Sequence, residues 1–138
     1  MIVIDTSAFS KFLIKEENWK KVVFYLDPSL EPYSVDLLLI EAANVIWKYT
    51  EKYRLIARQQ AFGLYEQMMK LVNGEVLVIE PSSKYIKNAL KIAIEHNISV
   101  YDALFLAQAM TLNAKLITSD RLQSKIAEKI EVGVVCIE

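Results

Sequence analysis

Apolar positions along this chain follow two patterns. Short unbroken runs rich in Val and Ile, at Ile2 to Ile4, Val76 to Ile79, Leu116 to Thr118 and Val134 to Ile137, mark strands buried on both faces, as in a parallel sheet. Between them, longer stretches predict helices over 7–14, 17–26, 36–52, 55–72, 82–96, 100–112 and 121–129. Strands separated by helices imply parallel pairing and an α/β sandwich. Three glycines and three prolines are too few to break these helices often. Asp27-Pro28-Ser29 and Glu31-Pro32 are too short to divide domains, so residues 1–138 are expected to fold as a single domain.

Composition narrows the function classes. Hydrophobic residues make up 54% of the chain, yet no apolar run approaches the ~20 residues of a bilayer span. A soluble protein without membrane association is expected. No basic segment or small-residue cleavage site precedes Asp5, which makes the cytoplasm the expected compartment. The single cysteine, Cys136, can form neither an internal disulfide nor a thiolate metal cluster. Sixteen basic and seventeen acidic residues give a net charge of −1. Setting aside four acids gathered on a metal leaves thirteen against sixteen basic, a remainder of +3 that admits a nucleic-acid partner.

Those four acids are Asp5, Glu41, Asp102 and Asp120. Asp5 and Asp120 each close an apolar strand, and ligands of open α/β sheets bind at the carboxyl ends of strands. Each also stands where it would cap the helix that follows. Glu41 interrupts Leu37-Leu38-Leu39-Ile40 and Ala42-Ala43. A carboxylate in a segment that apolar needs a cation, a donor or a raised pKa, unless it faces water. Asn44, three residues on, shares its helix face and could donate one hydrogen bond. Asp102 lies in the first turn of a helix capped by Ser99, where the helix dipole alone would favour an acid. Thr6, Ser7, Thr118 and Ser119 add hydroxyls beside two of the acids. Together, four acids without His or Cys partners point to Mg²⁺ or Mn²⁺ rather than zinc, and to phosphodiester hydrolysis.

The arrangement resembles the PIN domain family, and within it the VapC-type toxins of toxin–antitoxin pairs. The likeness spans nearly the whole chain: Ile2-Val3-Ile4-Asp5-Thr6-Ser7-Ala8, Leu37 to Val45 around Glu41, Ser99-Val100-Tyr101-Asp102-Ala103, and Leu116-Ile117-Thr118-Ser119-Asp120. It implies a three-layer α/β fold with a parallel sheet of about five strands, and an endoribonuclease with Asp5, Glu41, Asp102 and Asp120 as catalytic residues and ligands of Mg²⁺ or Mn²⁺. It further implies an RNA substrate, a homodimer and a VapB-like antitoxin. Two departures stand out. Arg121 to Lys125 lacks the further acid found in some members, and the fifth strand is weakly marked, with Tyr33 to Val35 its best position.

Other chemistries lack parts. There is no Gly-rich phosphate loop, His96 is the only histidine and ends a helical run, and Ser7 stands where a dehalogenase-type phosphatase would need a second Asp. Two alternatives stay open: the same fold acting only as a protein-binding module, and a nuclease that cuts DNA. Leu55, Phe62, Tyr65, Met69 and Val72 form an apolar stripe, with Trp47, Tyr49 and Tyr53 nearby. The protein is expected to form a dimer and also to offer an apolar groove to a partner, with this stripe as the surface, the alternative being that the stripe is simply core.

Overall fold

A computed structural model describes residues 1–138. The strands are β1 (Ile2–Ile4), β2 (Pro32–Val35), β3 (Val78–Glu80), β4 (Lys115–Thr118) and β5 (Val134–Cys136). They form one parallel sheet in the order β3-β2-β1-β4-β5. Central β1 pairs Ile2 with Pro32 on one side and with Lys115 on the other. All three of its residues are buried, which explains why it has no polar alternation.

Seven helices cover the sheet: α1 (Thr6–Ile14), α2 (Trp19–Val23), α3 (Leu37–Trp47), α4 (Arg58–Asn73), α5 (Ile86–His96), α6 (Val100–Leu112) and α7 (Arg121–Lys129). Helix α6 lies across β1, β2 and β4 and is itself covered by α5. It therefore buries an unbroken run from Ala103 to Ala109 instead of one stripe. Helix α1 packs on β4 and against α2, α3 and α4, and α7 packs on β4 and β5. The result is the expected three-layer α/β sandwich with five parallel strands. No helix is long and apolar enough to cross a membrane.

Helix ends follow local chemistry. Asp5, Ser99 and Asp120 accept from backbone N–H groups of α1, α6 and α7, and Asn97 and Asn113 end α5 and α6 in the left-handed region, where Asn is tolerated. Several boundaries differ from the sequence pattern, among them the helix expected over 82–96, which begins as a 3₁₀ turn over Ser82–Tyr85 before α5 starts at Ile86. The helix expected over 17–26 contracts to Trp19–Val23, since Asn18 turns left-handed with φ 67°. The helix expected over 36–52 leaves α-geometry at Trp47 and continues as a π-turn over Lys48–Lys52. Leu55 precedes α4, which begins at Arg58. Finally, β3 starts two residues late because the N–H groups of Val76 and Leu77 donate to the Leu71 carbonyl at the end of α4.

Candidate active site

In this strand order the chain runs outward from β1 through β2 to β3, then crosses back to β4 on the other side. The connections leaving β1 and β4 diverge, and the carboxyl ends of those two strands flank a crevice. Asp5 follows β1 directly and Asp120 lies two residues beyond β4.

Asp5 is buried, with 4% of its surface exposed, and is held on both oxygens. Oδ1 accepts from the Ser7 hydroxyl at 2.6 Å and from the Ala8 N–H at 3.0 Å, while Oδ2 accepts from the Thr118 hydroxyl. Burial nevertheless dominates and pushes its carboxyl up to about 6; those three hydrogen bonds oppose the rise and the Asp120 charge adds to it. Capping and site-building are thus compatible here. A single oxygen caps α1, and the whole group stays fixed at the crevice.

Thr118 joins two acids, since its hydroxyl donates to Asp5 and accepts from the Asp120 N–H at 3.1 Å. Asp120 caps α7 through Oδ1, which accepts from Leu122 and Gln123. Ser7 braces the same corner, accepting from the Ser119 N–H at 2.8 Å. Ser119 turns its own hydroxyl away, to the Ile137 carbonyl.

Glu41 projects half-buried from α3. Burial raises its carboxyl pKa, the Thr6 hydroxyl bond opposes that rise, and the Asp102 charge adds to it. The expected donor Asn44 is exposed, and the hydrogen bond comes instead from Thr6 at 2.6 Å, 35 residues away in sequence, on a helix packed against α3. Asp102 sits in the first turn of α6, its N–H donating to the Ser99 hydroxyl. Its carboxyl is also raised, first by burial and then by Asp120, with Ser99 opposing. One supporting residue escaped the sequence reading. Gln123 is buried and donates from Nε2 to the Asp102 carbonyl at 2.8 Å, locking α7 to α6. No local sequence signal marks this contact, which joins residues 21 positions apart.

Asp5 thus senses Asp120, Asp120 acts on Asp102, and Asp102 acts on Glu41, so like charges run through all four acids. None of them belongs to an ion pair; the three present are Arg58–Glu51, Lys84–Glu80 and Arg121–Glu138. Raised carboxyls without an internal counter-charge fit a hard cation. No three of the acids converge closely enough to cage one. A cation held by one or two of these carboxylates would keep waters in the rest of its shell.

Comparison with known proteins identifies the family and the fold. The sequence profile of the PIN domain matches residues 2–129. Ribonuclease VapC3 of Pyrobaculum aerophilum is 28% identical over 128 residues, covering 93% of each chain. Among solved structures, a toxin–antitoxin complex from Klebsiella pneumoniae superposes with a TM-score of 0.68 at 19% identity, covering 100% of this chain and 98% of that one. A crystal structure from Pyrobaculum aerophilum also gives 0.68 at 19%, covering 99% and 88%.

Proposed function

The chain belongs to the PIN domain family, and from that premise we propose that it is a metal-dependent endoribonuclease, the toxin of a toxin–antitoxin pair. The observation that carries this reading is the run of electrostatically coupled acids at the crevice between β1 and β4, with the carboxyls of Asp5, Glu41 and Asp102 raised and no acid of the run in an ion pair. The name of the relative Ribonuclease VapC3 supports RNA as substrate and hydrolysis as the reaction.

Asp5, Glu41, Asp102 and Asp120 are the residues that would hold Mg²⁺ or Mn²⁺. When bound, the cation supplies charge neutralisation at the phosphoryl group and makes water a stronger nucleophile. The protein supplies orientation. Ser7 and Thr118 hold Asp5 in one rotamer, Thr118 ties it to the backbone of Asp120, and Thr6 aims Glu41. Asp120 and Glu41 each keep one oxygen that accepts nothing from the protein, leaving it for a cation or a proton. Incubation of the purified protein with RNA in Mg²⁺, Mn²⁺ or EDTA tests the reading: metal-dependent cleavage is expected, and RNA left intact in every condition would refute it.

A partner is proposed on separate grounds. Helices α3 and α4 enclose a 500 Å³ groove lined by Ile46, Trp47, Ala61, Phe62 and Tyr65. Phe62 is 74% and Trp47 54% exposed, more apolar surface than a solitary helix pair leaves to water. An amphipathic antitoxin segment fits it, and the fold likeness to a toxin–antitoxin complex supports that occupant. A homodimer, with a mass near twice 15.8 kDa, belongs to the same proposal.

A further inference from the structure

Next to the acids lies a second cavity of 470 Å³ that shares Thr6, Ser7 and Asp120 with them. Its outer wall carries Lys48, Tyr49 and Tyr53, none of which the hydrolytic reading uses. The π-turn after α3 puts them together. The Tyr53 N–H donates to the Lys48 carbonyl at 2.8 Å, five residues back. In an α-helix, a residue five positions on points about 140° away from the first. The wider turn instead returns Tyr53 to the wall lined by Lys48. Such turns are rare and recur at functional sites.

Each wall residue is poised for a nucleotide. The Tyr49 hydroxyl donates to Glu16 at 2.8 Å, which fixes its ring and occupies the other acid on this wall. The Tyr53 ring meets that of Tyr49 edge to face, at 5.4 Å and 88°, carries the Lys52 ammonium 5.9 Å from its centroid, and is half exposed, so a base could stack on it by displacing that flexible lysine. Lys48 belongs to none of the ion pairs, and its ammonium is available to an anion. A stacked duplex hides the faces of its bases. A half-exposed aromatic ring packed on a fixed one, beside an unpaired cation and a roomy cavity, suits an unpaired nucleotide.

We propose that this cavity seats the nucleotide adjoining the scissile phosphate of single-stranded RNA, its base stacked on Tyr53 and its phosphate met by Lys48. The proposal rests on the ribonuclease reading for the position of the scissile phosphate. It is tested by binding rather than cleavage, in Asp5→Asn protein with Mg²⁺ present, by fluorescence anisotropy of a labelled single-stranded oligoribonucleotide. Tyr53→Ala should weaken binding about tenfold and Tyr53→Phe should restore it. Lys48→Gln should lower the slope of log K against log salt by about 0.7, the share of one phosphate contact on a single strand. Neither change should alter binding of the same sequence as a duplex, nor the melting temperature. Equal binding by the Tyr53→Ala protein and its parent, or equal losses on single strand and duplex, would overturn the subsite. If binding depends on Tyr53 but wild-type protein never cuts RNA, the ribonuclease reading alone fails. If cleavage is normal and binding ignores Tyr53, the subsite alone fails.

Discussion

The crevice between β1 and β4 and the groove between α3 and α4 lie on the same small fold and violate opposite rules. In the crevice, polar groups are buried. Asp5 and Thr118 are almost wholly enclosed, which is tolerable because their oxygens are engaged in hydrogen bonds. In the groove, apolar groups are exposed, and the rings of Trp47 and Phe62 face outward. The first region is organised internally and lacks only a counter-charge, while the second has shape but no cover. Perturbing the crevice should therefore change chemistry and linkage, whereas perturbing the groove should change association with little effect on the monomer.

The largest effect should come from Asp5→Asn, which removes charge at constant volume. Cleavage should fall by more than about a hundredfold, beyond the 10–100-fold typical of losing an outer partner. The metal-free protein should melt at a higher temperature, since Asn can accept from Ser7 and Ala8 without carrying a buried charge. Undiminished cleavage would remove Asp5 from the site.

The pH dependence of stability sharpens the same contrast. Asp5 has a folded pKa of about 6 against 3.8 for the free side chain, so the folded state holds the proton more tightly. Its stabilising contribution is complete below pH ~3.8 and is lost as the pH rises through ~6, a decline of about 3 kcal/mol. In denaturant titrations of metal-free protein this fall should appear as the difference between wild type and Asp5→Asn, because other shifted carboxyls such as Glu41 and Asp102 are common to both. Parallel profiles for the two proteins over this window would contradict the assigned burial cost.

Divalent metal should act in the other direction. At a hundredfold excess over Kd it should add about 2.7 kcal/mol of stability, and an Asp5/Asp102 double alanine variant should lose that gain. A full metal-induced shift in melting temperature in the double variant would move the cation elsewhere. The smallest effect on the monomer is expected from Phe62→Glu. An exposed ring replaced by a charge should change unfolding free energy by no more than about 0.5 kcal/mol, yet sedimentation should register loss of the dimer or of the antitoxin complex. Unaltered assembly would leave the groove without the role proposed for it.

Much of the crevice was legible because it is encoded locally. A short Val and Ile run followed by an acid names both the strand and its carboxyl end, as at Ile4-Asp5 and Thr118-Ser119-Asp120, and Ser99 announces the start of α6. Contacts between distant segments left no such trace. Thr6 reaching Glu41 and Gln123 reaching the Asp102 carbonyl depend on helix packing, so Asn44 looked the better donor from sequence spacing alone. The π-turn was hidden for another reason. Lys48 to Lys52 contains neither Gly nor Pro and continues a helical pattern, and hydrophobic periodicity over five residues cannot distinguish a four-residue from a five-residue hydrogen-bond step.

The position of β1 at the centre of the sheet also has a consequence for synthesis. The Asp5 side chain takes a hydrogen bond from Thr118, 113 residues later in the chain, and β1 has β4 as one of its two neighbours. At about 5–20 residues per second on the ribosome, the segment carrying Asp5 waits several seconds or more for that neighbour to be made. Throughout that interval Asp5, Thr118 and Asp120 cannot meet. Closing so long a loop is also among the slower steps available to a folding chain. A growing polypeptide thus has no assembled crevice until the segment carrying β4 and Asp120 has been made.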